Sequence, residues 1–254
     1  MRILLTNDDG VHSPGLYALW RELNRDHEVT VVAPDRERSA VSHGITLNHP
    51  LRITDHQVNG SLFHGVTGLP ADCVKIALKV VLEQQPQLVI SGINRGSNTG
   101  INVLYSGTVA AAVEGMVAGI PSLAVSQCSF QAEDFTPAST FVSRLVGEVP
   151  RQSFPRWSML NINVPNLPSD QIKGIKLTRM GEARFEEFFI LRQDTRQREY
   201  YWMGGKELEP AENPLLDDVA VKEGWISVTP LKYDLTDHSF LEELQSWHLN
   251  GADN

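Results

Sequence analysis

The chain has 254 residues and a mass of 28.3 kDa, enough to bury a large core as one α/β domain with or without an appendage. Its formal net charge is -9 and its isoelectric point is near 5.4. This charge argues against binding to nucleic-acid polymers or anionic membranes, because both need clustered Lys and Arg. No stretch is apolar enough for a secretory signal or a membrane span, so we expect a cytoplasmic protein.

The first three predicted elements are a strand, a helix and a strand. An apolar run at residues 3–5 leads directly into the acidic pair Asp8 and Asp9, which is typical of a buried strand that ends in a polar turn. Apolar residues at helical spacing follow at 16–23, and a β-branched run follows at 29–33. This order, with short connections, predicts a right-handed βαβ unit and a parallel sheet.

A long polar segment follows the second strand. Residues 34–50 are rich in turn formers and have no apolar period, which predicts a loop at the mouth of the sheet. Residues 51–54 and 62–66 predict a hairpin around Asn59-Gly60. Pro70 then begins a predicted helix, because proline is favoured in the first helical turn.

The middle of the chain continues the strand and helix alternation. Residues 88–90 predict a buried strand that ends in a Gly-rich and Asn-rich loop at 91–100. An alanine-rich helix begins near residue 109, with a Ser or Thr at its N-cap. Two strands and a helix complete a predicted sheet domain over residues 1–168; they lie at 121–125, 160–164 and 136–146.

The residue pattern of the sequence changes beyond residue 168. Aromatic and β-rich segments separated by charged turns predict an extended antiparallel arm; they lie at 175–178, 185–191 and 199–203. Two helices and a strand are predicted after them, at 214–222, 238–247 and 225–228. We therefore expect a second unit at residues 169–254.

Three polar loops meet at one edge of the predicted sheet, because the carboxyl ends of parallel strands lie on the same side. They carry Asp8 and Asp9, Ser39, and Asn94. This all-oxygen set suits magnesium, manganese or calcium better than zinc. Each residue also has an ordinary alternative: a turn and helix cap for the acids, a solvated hydroxyl for Ser39, and a structural turn for Asn94.

A second polar cluster begins the alanine-rich helix. Ser106, Gly107 and Thr108 combine two hydroxyls with the free N–H groups of a helix start, and Asn98 adds an amide. This pattern is that of an anion site, although simple helix capping also explains it. An ion beside an anion site indicates hydrolysis of phosphate esters.

Other polar residues near the mouth have open roles. His12 and His43 could act as acid or base groups or be ordinary loop histidines, and Arg36 and Arg38 could hold phosphate or be solvated.

Motifs in a fixed order span nearly the whole chain; they are residues 3–10, 32–39, 72–74, 91–98, 105–109, 161–165 and 228–231. They resemble those of the SurE family, the stationary-phase survival proteins that act as metal-dependent nucleoside monophosphate phosphatases. The resemblance implies a Rossmann-like, mostly parallel sheet flanked by helices, with a C-terminal arm that is exchanged between subunits in a homodimer or homotetramer.

The resemblance also implies roles for individual residues. One divalent ion per subunit, Mg²⁺ or Mn²⁺, is expected on Asp8, Asp9, Ser39 and Asn94. The phosphate is expected near the second polar cluster, which consists of Asn98, Ser106, Gly107 and Thr108. Substrates are expected to be nucleoside 5′- and 3′-monophosphates, and Asp8 or Asp9 is a candidate for accepting the proton of the attacking water.

Two positions depart from the family pattern. Ala40 stands where glycine is expected after the loop serine, so a positive φ there would carry strain. The pair Ile101-Asn102 is neutral where an acidic residue is common.

Two rival functions share the acidic strand end. A phosphoacceptor signalling domain would need a further aspartate where the strand at 88–90 ends, and the chain has Ser91-Gly92 there. A non-catalytic nucleotide-binding oligomer would use the same pocket without turnover.

Overall fold

The computed structural model describes residues 1–149, 154–208 and 212–247. The strands are β1 Arg2–Thr6, β2 Glu28–Pro34, β3 Ile53–Val58, β4 Ser61–Val66, β5 Leu88–Arg95, β6 Ser122–Cys128, β7 Ser158–Pro165, β8 Ile175–Leu177, β9 Phe185–Gln193, β10 Glu199–Glu207 and β11 Ile226–Lys232. The helices are α1 Pro14–Leu23, α2 Pro70–Ile76, α3 Gly107–Val117, α4 Thr136–Glu148, α5 Asp217–Lys222 and α6 His238–Leu244.

Nine of these strands form one sheet in the order β3-β4-β2-β1-β5-β6-β7-β11-β8. β1 lies between β2 and β5 and is parallel to both, with Leu5 opposite Val31 and Ile90. Antiparallel pairs occur between β3 and β4 and between β7 and β11. The mostly parallel sheet and the βαβ order predicted from the sequence are therefore confirmed.

Helices cover both faces of the sheet. Alternate side chains of β1 point to opposite faces: Ile3 and Leu5 belong to the larger core cluster, and Leu4 belongs to the second. The larger cluster includes buried apolar residues of α1 and α4, and the second includes residues of α2 and α3. Burial on both faces explains why β1 is continuously apolar rather than alternating.

The structure corrects one predicted boundary and gives the extent of one predicted helix. β5 does not end at residue 90; it continues to Arg95 through an irregularity in its pairing with β6 between Ser91 and Asn94. The helix that begins at Pro70 ends at Ile76 and continues as a π-helical turn, Ala77–Val81. Residues 91–96 have the Gly and Asn content of a loop. Pairing with β6 nevertheless keeps this segment in the sheet as a bulged strand.

The segment after residue 168 is only partly an arm. The prediction that residues 175–178 belong to an antiparallel arm is wrong, because β8 pairs in parallel with β11 in the main sheet. β11 also pairs with β7, so the sheet crosses the predicted boundary at residue 168. β9 and β10 form a separate antiparallel pair. Of the predicted unit 169–254, residues 209–211 and 248–254 lie outside the described residues.

None of the helices in the described ranges combines the length and the apolar character that crossing a membrane requires.

Candidate active site

A tight turn after β1 carries the acidic pair. Asn7, which is fully buried, donates from its side-chain nitrogen to Gly10 O at 3.0 Å and to Ser13 Oγ at 2.7 Å. Its side-chain oxygen accepts from Gly10 N at 3.2 Å. Gly10 has φ +98°, and a Cβ there would stand 3.0 Å from the backbone carbon of Arg36. The turn therefore requires glycine and connects the strand end to the start of α1.

Asp8 is 4% exposed and lies against the start of α3. The Thr108 hydroxyl donates to Asp8 Oδ1, and a Cβ on Gly107 would stand 2.9 Å from Asp8 Oδ2. Burial raises the pKa of Asp8, the bonds from Thr108 lower it, and the charge of Glu37 raises it again, so the pKa lies above its ordinary value. Gly107 thus leaves room for a carboxylate that the helix start stabilises.

Asp9 is more accessible than Asp8. It lines a cavity of about 640 Å³ together with Ser39, Glu37 and Arg95. Burial and the charge of Asp8 raise the pKa of Asp9 to about 7, although the backbone N–H of Arg95 donates to it and lowers the pKa. Negative charge is therefore concentrated at this edge of the sheet, where a cation would relieve the repulsion.

The loop after β2 brings Ser39 to the same cavity. Arg38 N donates to Asp8 O at 2.7 Å, and the Ser39 hydroxyl donates to Glu37 Oε1 at 2.7 Å. Ala40 has φ +55°, in the left-handed region that favours glycine, and glycine is the residue expected at this position from the resemblance. The loop therefore keeps this conformation without glycine and carries the expected strain.

Asn94 lies in the bulged part of β5 rather than in a loop. Its side-chain nitrogen donates to Gly96 O at 2.9 Å, so its side-chain oxygen is the atom suited to an ion. Gly92 has φ +143°, and a Cβ there would stand 2.4 Å from Val125 O on β6. Close approach of the neighbouring strand explains this glycine.

The predicted phosphate residues lie deeper and already have partners. The Ser106 hydroxyl accepts from Val109 N at 3.1 Å as the N-cap of α3, and Thr108 donates to Asp8. Asn98 is 6% exposed and donates from its side chain to Ser126 Oγ at 2.8 Å. The residues described as lining the cavity beside Asp9 include none of these four. Gly107 and Thr108 are beside Asp8, whereas Asn98 belongs to a buried polar network.

His43 makes a contact that the sequence did not indicate. Its Nε2 lies 2.6 Å from Glu114 Oε1 on α3, and Lys75 Nζ of α2 lies 2.7 Å from Glu114 Oε2. Burial raises the pKa of Glu114, but the bonds from His43 and Lys75 outweigh it, and the pKa lies below its ordinary value. His12 instead remains exposed beside the cavity, with its ring 4.9 Å from that of His56.

The predicted ligands offer oxygen atoms only, and such a donor set suits magnesium or manganese better than zinc. Within residues 1–149, 154–208 and 212–247, no three His, Cys, Asp or Glu side chains are grouped as metal ligands. The ligands predicted from the sequence are two carboxylates, a hydroxyl and an amide oxygen, which are groups that bind magnesium or manganese.

Sequence reasoning missed three residues at this edge. Glu37 and Arg95 line the cavity beside predicted ligands, and Phe130 lines it from the turn after β6. The only sequence feature that could have indicated Phe130 is weak: it is an aromatic residue a few positions after the end of the predicted strand at 121–125.

Comparison with known proteins identifies the family. A family model described as survival protein SurE matches residues 3–187. The chain belongs to the SurE family. The resemblance inferred from the motifs is therefore confirmed, and the match includes residues 3–6 of β1 and the start of α3.

Individual SurE relatives match nearly the whole chain. A protein of Syntrophobacter fumaroxidans named 5′-nucleotidase SurE is 48% identical over 250 residues, covering 98% of this chain and 100% of that protein. A protein of the same name from Heliobacterium modesticaldum is 46% identical over 254 residues, covering 99% of this chain and 93% of that protein. The crystal structure of the SurE protein from Aquifex aeolicus superimposes with a TM-score of 0.84 and 38% identity, covering 96% of this chain and 98% of that one.

Proposed function

We propose that this chain is a divalent-metal-dependent phosphatase that hydrolyses nucleoside 5′-monophosphates, and also 3′-monophosphates, to nucleoside and phosphate. The observation that supports this proposal most directly is the pair of adjacent carboxylates that follows β1, one of which, Asp9, lines an open cavity. The two relatives named 5′-nucleotidase support the choice of substrate.

One Mg²⁺ or Mn²⁺ ion would be held by Asp8, Asp9, Ser39 and Asn94. When bound, such an ion polarises a phosphoryl oxygen and lowers the pKa of a coordinated water. Asp9 is the better placed of the two acids to accept a proton from water, because it lines the cavity while Asp8 is 4% exposed and bonded to Thr108.

The phosphate would lie near Asn98, Ser106, Gly107 and Thr108. Thr108 has a second task, which is to hold Asp8 by its hydroxyl group. Ser106 uses its oxygen as a cap acceptor and keeps its hydroxyl hydrogen for an anion. The start of α3 adds a favourable field for negative charge.

The direct test is hydrolysis of adenosine monophosphate with MnCl₂ or MgCl₂, with and without a chelator. Asp9→Ala should lose activity by about 100-fold or more, because it removes a ligand and a proton acceptor together. Asp170→Ala is the matched control, since Asp170 is an exposed acid of the described chain. Equal activity of Asp9→Ala and wild type would sink the assignment of the metal site.

Two further measurements separate the two rivals. Nucleotide binding without phosphate release, in protein shown to be metal-loaded, would identify a binding oligomer. Formation of a labile acyl phosphate from acetyl phosphate would identify a phosphoacceptor domain.

We also propose that the hairpin of β9 and β10 joins subunits in a homodimer or homotetramer. Apolar side chains on both of its faces are exposed, including Phe189 at 66%, Trp202 at 63% and Met203 at 68%. Patches of this kind usually mark protein contacts. The unit boundary at residue 168 and the cytoplasmic location stay predictions from the sequence.

A further inference from the structure

An exposed aromatic ring forms part of the wall of the cavity beside Asp9. Asp9, Ser39, Arg95 and Phe130 all line this cavity. We propose that this cavity holds the nucleoside of the substrate, with a purine base stacked on the ring of Phe130. The inference rests on the proposed function, since a nucleoside bound there has its phosphate beside Asp9.

The ring of Phe130 lies beside the strand that shares the cavity wall with Asp9. Arg95 lines the cavity together with Asp9, and Gly96 is the next residue, about 3.8 Å farther between Cα atoms. Phe130 rests on Gly96: a Cβ at Gly96 would stand 2.7 Å from Phe130 Cε1 and 3.0 Å from Cζ. Glycine at this position therefore allows the ring to approach the backbone next to Arg95.

Phe130 is held in place without being part of the core. It sits on a turn in which Ala132 N donates to Ser129 O at 3.3 Å. The Phe130 side chain is 68% exposed, whereas Ala132 is 1% exposed and packs in the hydrophobic core. An exposed aromatic ring on a fixed turn loses little freedom when a base covers it, and stacking of a base removes apolar area from water.

The rest of the lining suits a nucleoside. A cavity of about 640 Å³ lies within the usual range for small-molecule sites. Glu37 is an exposed carboxylate in the wall, and an acidic side chain is the usual acceptor for ribose hydroxyls in nucleotide sites. A purine offers a larger stacking face than a pyrimidine, so the ring favours purine substrates.

Steady-state kinetics with Mn²⁺ tests the proposal on matched substrates with and without a base. Phe130→Leu keeps an apolar side chain but removes the aromatic face, so the KM for adenosine monophosphate should rise about ten-fold, near the lower end for base–aromatic stacking. The KM for ribose 5-phosphate, which has no base, should not change. Phe130→Trp should restore the wild-type KM, and the effect should be smaller for uridine monophosphate.

Phe240→Leu is the control, because Phe240 is an exposed ring on α6 and does not line the cavity. An equal rise in KM for both substrates, or no rise for adenosine monophosphate, would overturn the stacking role. If Phe130→Leu changed the mass of the oligomer but left the KM unchanged, the stacking role would also be overturned, and Phe130 would be assigned to a subunit contact.

Failure of the proposed function can be told apart from failure of this inference. If the wild type hydrolyses neither substrate, the phosphatase proposal fails, and calorimetric titration with adenosine still tests the site. Binding by the wild type that Phe130→Leu weakens supports the stacking site; absence of binding overturns it.

Discussion

At the scale of single residues, the two acids that follow β1 differ more in surroundings than their sequence suggests. Asp8 lies against the start of α3 and is bonded to Thr108, whereas Asp9 lines the cavity. Both acids lie in the bend that follows β1, and the two side chains have different neighbours. Under the proposed function both acids hold the ion, and Asp9 also faces the substrate.

Ala40 gives a prediction about strain. Its φ of +55° costs about 1–2 kcal/mol for a residue with a Cβ, while glycine adds about 0.5–1 kcal/mol of chain entropy to the unfolded state. The side chain is exposed, so little packing is lost. Ala40→Gly should therefore raise the free energy of unfolding by about 0.5–1 kcal/mol, measured by urea denaturation.

Ala18→Gly serves as the control because Ala18 lies within α1 and has ordinary helical geometry. It should lower the free energy of unfolding by about 1 kcal/mol. If Ala40→Gly also destabilised the protein, strain at residue 40 would be refuted.

At the scale of elements, the loop after β2 is fastened along its length. The Ser42 hydroxyl donates to Leu104 O at 2.7 Å, and Thr46 N donates to Asp72 Oδ1 at 3.0 Å. His43 adds the contact with Glu114 on α3. The loop that carries Ser39 is thereby tied to the helices behind the site, which keeps its position defined.

The His43–Glu114–Lys75 contact should show in the dependence of stability on pH. A carboxyl whose folded-state pKa is lowered stabilises the fold above its ordinary pKa, and this stabilisation is lost as the pH falls through the folded-state pKa. Glu114→Gln should therefore lower the free energy of unfolding by about 1 kcal/mol at pH 7. The effect is expected to be no larger because His43 and Lys75 are partly exposed, and solvent screens their charges. The difference from wild type should vanish when the pH is lowered to below the folded-state pKa.

Urea denaturation at several pH values measures this effect. Glu133→Gln is the control, since Glu133 is an exposed acid before α4. A difference between Glu114→Gln and wild type that is the same at every pH would show that the charge of Glu114 does not act.

At the scale of the whole molecule, the hairpin of β9 and β10 exposes apolar side chains on both faces. Phe189 and Met203 are cross-strand partners on one face, and both are about two-thirds exposed. The double variant Phe189→Ser, Met203→Ser should reduce the mass measured by light scattering from a multiple of 28.3 kDa to that value. Val80→Ser, at an exposed position on the π-helical turn, should leave the mass unchanged. A wild-type protein of 28.3 kDa would refute the assembly role.

The sequence by itself determined the local elements of this protein. The βαβ order, the N-cap of α3 and the acidic pair at a strand end depend on periodicity and on residues a few positions apart, and all are present. Such local signals can be read without knowing which distant segment of the chain packs against the element.

Only the tertiary structure decided which distant segments meet. β8 and β11 join the main sheet, Asn94 lies in a bulged strand, His43 pairs with Glu114, and Phe130 rests on Gly96. Each of these depends on strand pairing or packing between residues far apart in the chain, where backbone hydrogen bonds and burial override local preference. The acidic pair was visible in the sequence, but the cavity beside it is made by the fold.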